Sequence, residues 1–99
     1  MRRTMAIVLA LLPLPVAAQD PATGRRLAEY WCMGCHVIER EPPSAAAGGV
    51  PSFPAIAAKP TTTAQSLDWF LSAAHTTMPD FLLSRDERNW LVAYILSLR

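Results

Sequence analysis

Cys32-Met33-Gly34-Cys35-His36 constrains this 99-residue chain more than any other stretch. Its C-x-x-C-H spacing is the attachment signature of a c-type haem. Two thiols three residues apart in a helical turn share one face, so both can form thioethers to the two vinyl groups of one porphyrin. The histidine beside the second thiol then lies under the ring, with an imidazole nitrogen available to iron. The chain has two cysteines, and both fall in these five residues. Three other uses of the pattern fit less well. A thioredoxin-like W-C-x-x-C around Trp31 needs a βαβ framework, and no alternating or β-branched runs supply strands. A zinc site would need Cys32, Cys35, His36 and His75, with the adjacent Cys35 and His36 making an awkward tetrahedral pair. A disulfide between Cys32 and Cys35 would strain its geometry within a helical turn.

The first residues read as an export signal. Arg2 and Arg3 precede an apolar run from Met5 to Leu12, and Pro13 and Pro15 interrupt it. Val16-Ala17-Ala18 offers small residues for signal peptidase, so cleavage is expected after Ala18. The apolar run is too short to span a bilayer, and an uncleaved anchor would have to continue through both prolines. Residues 1–18 are therefore read as a cleavable signal and residues 19–99 as one domain, periplasmic and without stable membrane insertion. Loss of Arg2 and Arg3 turns the formal charge of +1 into −1, which argues against a nucleic-acid partner. A domain of this size has a marginal apolar core, and a covalently held porphyrin would complete it.

The pattern predicts an all-α fold. Asp20 as N-cap and Pro21 at the first position open a helix, with Gly24, Leu27, Ala28 and Trp31 on one face. A second is expected from Thr62, with Gln65 closing a capping box and Leu67, Phe70, Leu71 and Ala74 at helical spacing. Ser84-Arg85-Asp86-Glu87 opens a third, whose apolar face holds Trp90, Leu91, Tyr94, Ile95 and Leu98. Glu39 to Pro60 reads as a loop, with one helical turn over Ser52–Ala57 and with Val50, Phe53 and Ile56 suited to covering a haem edge. A disordered linker is the competing reading of that stretch.

A second iron ligand is expected from methionine. Met1 and Met5 lie in the signal, and Met33 sits between the attachment cysteines, on the wrong side of the ring. Met78 remains, in the polar loop Thr76-Thr77-Met78-Pro79-Asp80, where Pro79 keeps it extended. A gap-filling core methionine is its structural alternative. His75 is the other imidazole and the competitor for the iron; otherwise it reads as a helix C-terminal residue favoured by the macrodipole.

The order C-x-x-C-H, Pro/Gly loop, Met-Pro, aromatic C-terminal helix resembles the class I monohaem cytochromes c over essentially all of residues 19–99. The resemblance implies N- and C-terminal helices that cross, with loops wrapped round one covalent haem c. It assigns Gly24 and Tyr94 to the crossing. Ala28 stands where the family often has an aromatic, so Trp31 or Trp90 would repack it. It also implies a proline carbonyl that accepts the His36 ring N–H, and Pro43 and Pro51 both qualify. Trp69 is a candidate propionate donor or a plain core or surface aromatic. The expected cofactor is haem c with its iron, held by Cys32 and Cys35 and ligated by His36 and Met78.

The expected function is single-electron transport between redox partner proteins, not enzymatic catalysis. A structural haem subunit of a larger periplasmic dehydrogenase or oxidase is the alternative. A peroxidase or gas sensor would require Met78 to leave the iron. Lys59 is the one lysine, so no lysine ring steers an acidic partner.

Overall fold

The computed structural model describes residues 5–13, 20–40, 49–73 and 77–99. Among them every regular element is helical: α1 (Pro21–Trp31), α2 (Phe53–Ala58), α3 (Ala64–Ser72) and α4 (Arg85–Ser97). The expected all-α class is what the chain adopts.

Local chemistry sets most helix boundaries. Asp20 is extended at φ −90° and ψ 102°, and its carboxylate accepts the Ala22 N–H at 3.0 Å and the Thr23 hydroxyl at 2.7 Å. Those bonds satisfy donors that the first turn of α1 leaves open. At α4 the Ser84 hydroxyl accepts from the Glu87 N–H at 3.2 Å, and the Glu87 carboxylate accepts from the Ser84 N–H at 2.9 Å. This is the expected capping box. The second expected helix starts one residue later than predicted. Thr63, not Thr62, is the N-cap of α3, and Ser66 takes the role expected of Gln65, with reciprocal bonds of 2.9 and 3.0 Å. Thr62 is instead buried, at the end of a turn closed by its N–H to Lys59 O at 3.0 Å. The helical turn expected at Ser52–Ala57 is α2, with Ser52 as its N-cap.

Helices α1 and α4 cross at Gly24. A Cβ placed there would lie 1.9 Å from the Trp90 carbonyl oxygen and 2.9 Å from Tyr94 Cβ. Only a residue without a side chain lets the two backbones meet so closely. One turn on, Ala28 is fully buried, so a small residue continues the close approach. Trp31 does not repack that crossing with its ring. Trp90 meets Gly24 through its backbone carbonyl, and Trp31 is 39% exposed with its ring on Phe81, 5.1 Å between centroids. Helix α1 ends at Trp31, and this side chain is directed off the crossing.

The core is a single cluster of Ala28, Cys32, Ile38, Phe53, Ala57, Leu67, Leu91, Val92, Tyr94 and Ile95. Helix α4 supplies four of these because it packs against all three other helices, which also explains why Val92 joins the predicted face. The Tyr94 hydroxyl donates to the buried Ile38 carbonyl at 2.7 Å and ties α4 to the segment after His36. Arg88 links three parts: its Nε donates to Asp68 of α3, and its Nη1 donates to the Leu83 carbonyl, both at 2.9 Å.

Candidate functional site

The attachment motif grows directly out of α1. The Cys32 N–H donates to Ala28 O at 2.8 Å, so Cys32 caps the helix. The chain then stays in a tight turn, with the Cys35 and His36 N–H groups both reaching Cys32 O, at 3.1 and 2.9 Å. Cys32 is buried and Cys35 exposed, both as free thiols. Both line one cavity of about 310 Å³, together with His36, as the three-residue spacing predicts.

That cavity adjoins a second of about 490 Å³. Cys32, His36, Pro51, Ile56, Phe70 and Met78 line both, so the two form one cleft. Volumes of this order suit a bound small molecule or cofactor. The larger part is walled by Phe53, Leu67, Leu71, Leu91 and Ile95, the smaller by Val50, Trp31 and Phe81. Val50, Phe53 and Ile56, the residues expected to cover a haem edge, all line the cleft. Helix α4 reaches the cleft through Leu91 and Ile95, so the crossing that fixes α1 against α4 also fixes the motif against this apolar wall.

The His36 ring is held by the Pro51 carbonyl and by Phe53. Its Nδ1 lies 2.6 Å from the Pro51 carbonyl, which can only accept, so Nδ1 carries the proton. That bond uses Nδ1 and leaves Nε2 as the ring nitrogen available to a metal. Phe53 packs against the ring at 5.4 Å. Of the two prolines left open by the sequence, Pro51 makes the contact; Pro43 lies outside the described residues. A bond from Phe53 N–H to Val37 O at 2.8 Å returns the chain to this point and so presents the Pro51 carbonyl.

Met78 is half-buried and lines both parts of the cleft, while Met33 is 59% exposed and lines neither. His75 lies outside the described residues. Trp69 is 71% exposed and lines neither part. Phe81, Thr61, Thr62 and Ser66 also line the cleft and carry no local signal for being there.

The site opposes the alternative uses of C-x-x-C. Burial pushes the Cys32 thiol up to about 11, whereas redox-active C-x-x-C motifs depress it. Among the described residues no three His, Cys, Asp or Glu side chains group as a metal-ion site, and these residues include three of the four zinc ligands considered above. The cleft does fit a haem: two thiols beside one cavity, an imidazole with a fixed tautomer, a thioether, and apolar walls for a flat apolar ring.

Residues 19–95 match the family model described as cytochrome c oxidase, cbb3-type, subunit III. The chain belongs to this family of c-type cytochromes. It is 39% identical over 99 residues to cytochrome c-552 of Bradyrhizobium diazoefficiens, covering 98% of this chain and 94% of that protein. No solved structure matches. As a monohaem class I cytochrome c, the protein carries covalent haem c with its iron and transfers electrons; it is not an enzyme. Its partners are therefore redox proteins.

Proposed function

We propose that this cytochrome is exported to the periplasm, loses residues 1–18, and carries single electrons with His36 and Met78 as axial ligands. The observation that carries the ligand assignment is the shared cleft: His36 and Met78 line both of its parts, and Cys32 and Cys35 line one with them. When bound, the haem supplies a one-electron Fe(III)/Fe(II) couple. The protein residues do the rest. Cys32 and Cys35 anchor the ring. The Pro51 carbonyl accepts the His36 Nδ1–H and so would leave Nε2 to hold the iron. Met78 contributes a neutral, polarizable donor that raises the potential. The apolar side chains of Phe53, Leu67, Leu91 and Ile95 line the cleft and would keep water from a bound ring.

Three observations support the export reading. The leader has the order of a signal peptide, residues 5–13 lie exposed outside any helix, and the family match begins at residue 19. Among the described residues no helix is long and apolar enough to cross a membrane. Intact-mass measurement of the exported protein is expected to give residues 19–99 plus one haem. In the holoprotein, Met78→Ala is expected to lower the reduction potential and admit carbon monoxide to the reduced iron, with the haem still covalent. Unchanged potential and continued exclusion of carbon monoxide in that variant would remove Met78 from the assignment.

The matched family's description favours a second reading, in which the chain is a haem subunit of a larger complex. Purification from a native membrane extract separates the two, because a subunit co-elutes with its catalytic partner.

A further inference from the structure

The loop from Thr77 to Ser84 brings Met78 to the cleft, and its later residues are held from α4. Asp80 Oδ1 accepts the Leu82 N–H at 2.9 Å, Leu82 takes a left-handed φ of 52°, and Arg88 holds the Leu83 carbonyl. These bonds shape the loop beyond Pro79. They do not tie it to the C-x-x-C-H side of the cleft. Among the described residues the connection is aromatic: Trp31 packs on Phe81 with ring centroids 5.1 Å apart and planes at 42°. Trp31 is the last residue of α1 and adjoins Cys32, so its backbone is as fixed as the attachment point. Tyr30 braces its ring edge-on, with centroids 4.7 Å apart. Trp31, Phe81 and Met78 line the same cavity. Between Met78 and Phe81 stand only Pro79 and Asp80, the first with a fixed φ and the second in a hydrogen-bonded turn.

We propose that Trp31 is a positioning residue for the electron carrier: through Phe81 it latches the methionine loop shut and keeps Met78 on the iron. The inference rests on Met78 being the second axial ligand. A large, partly exposed indole at the end of α1 then has a purpose that the helix crossing does not give it. Without the ring, the loop keeps its hold on α4 but loses its hold on α1, and Met78 can swing away while the fold persists.

The test uses the holoprotein as wild type, Trp31→Ala, Trp31→Phe, Phe81→Ala and the double variant Trp31→Ala/Phe81→Ala. Trp69→Ala is the control, an exposed indole away from the cleft. The readouts are the weak far-red sulfur-to-iron band of the oxidised form, carbon monoxide uptake by the reduced form, and the thermal unfolding midpoint. Trp31→Ala and Phe81→Ala are each expected to raise the population open to carbon monoxide about tenfold, the factor that about 1.4 kcal/mol of lost aromatic contact gives. The double variant should add little to either single change, since both remove one contact. Trp31→Phe and Trp69→Ala should behave as wild type. The latch is overturned if both single variants keep the far-red band and exclude carbon monoxide as wild type does. It is equally overturned if Trp69→Ala opens the iron to the same degree, or if opening follows only the fall in unfolding midpoint. A wild type that lacks the band and binds carbon monoxide instead overturns the ligation reading, and the latch with it; wild type alone tells these failures apart.

Discussion

The Tyr94 hydroxyl and Gly24 are the two residues of α4 and α1 whose chemistry is most exposed to test. Tyr94 is buried and donates to the buried Ile38 carbonyl two residues past His36. Tyr94→Phe leaves that carbonyl unpaired and is expected to cost about 1–2 kcal/mol in chemical unfolding of the holoprotein. Burial, the largest influence, raises the Tyr94 phenol above its ordinary 10.0. Its folded pKa therefore exceeds its unfolded one, so the stability it contributes is fully present below about pH 10 and is lost as pH rises through the folded value. Unfolding measured from pH 9 to 11 should show a fall in wild type that is shallower in Tyr94→Phe. At Gly24 any side chain meets backbone, and backbone cannot rotate away. Gly24→Ala is expected to lose about 3 kcal/mol or more, a drop of roughly 10 °C or more in Tm for a domain of this size. A Tm within a few degrees of wild type would show that the two helices do not meet there as closely as described.

At the scale of elements, the boundaries fixed by local bonds were legible and those fixed by tertiary contact were not. Asp20-Pro21 and Ser84-x-x-Glu87 announce α1 and α4 because the donor and acceptor lie within three residues of each other. The start of α3 slipped by one because Ser66 closes its box, and a hydroxyl there is a weaker pattern than Glu or Gln. Trp31 fits the periodicity of α1's buried face, yet its neighbour Phe81 is fifty residues away in sequence and leaves no local mark. The choice of Pro51 over Pro43 was hidden for the same reason, since it depends on how α2 folds back on Val37. Of the proposed site, spacing and elimination picked out Cys32, Cys35, His36 and Met78 without tertiary knowledge, and all four line the cleft. Arg88 offers a prediction that separates loop anchoring from ligand positioning. Arg88→Leu deprives Asp68 and the Leu83 carbonyl of a donor, and should cost about 1–2 kcal/mol in unfolding. The far-red band is expected to survive that change, because the aromatic contact to α1 remains.

Over the whole molecule, the cleft lies where α1, the α2 segment, α3 and the methionine loop converge, with α4 as the common support. Covalent attachment makes the cofactor part of the core that so small a domain needs. The charge balance bears on partner encounter. With the leader removed the formal charge is −1, and Lys59 is the one lysine, so no lysine ring is available to steer an acidic partner. Electron-transfer rates with a native partner should therefore vary with ionic strength far less than the roughly ten- to thousandfold range of steered pairs. Stopped-flow kinetics across a salt series checks this; a steep fall with salt would reveal a charged docking surface. The measurement that bears most directly on the central claim is the optical spectrum of the matured wild-type protein, oxidised and reduced, with carbon monoxide added to the reduced form. The account predicts a c-type haem spectrum, a far-red sulfur-to-iron band when oxidised, and no carbon monoxide adduct. Ready formation of the adduct with no far-red band would contradict His36/Met78 ligation, and no covalent haem at all would contradict the whole reading of the cleft.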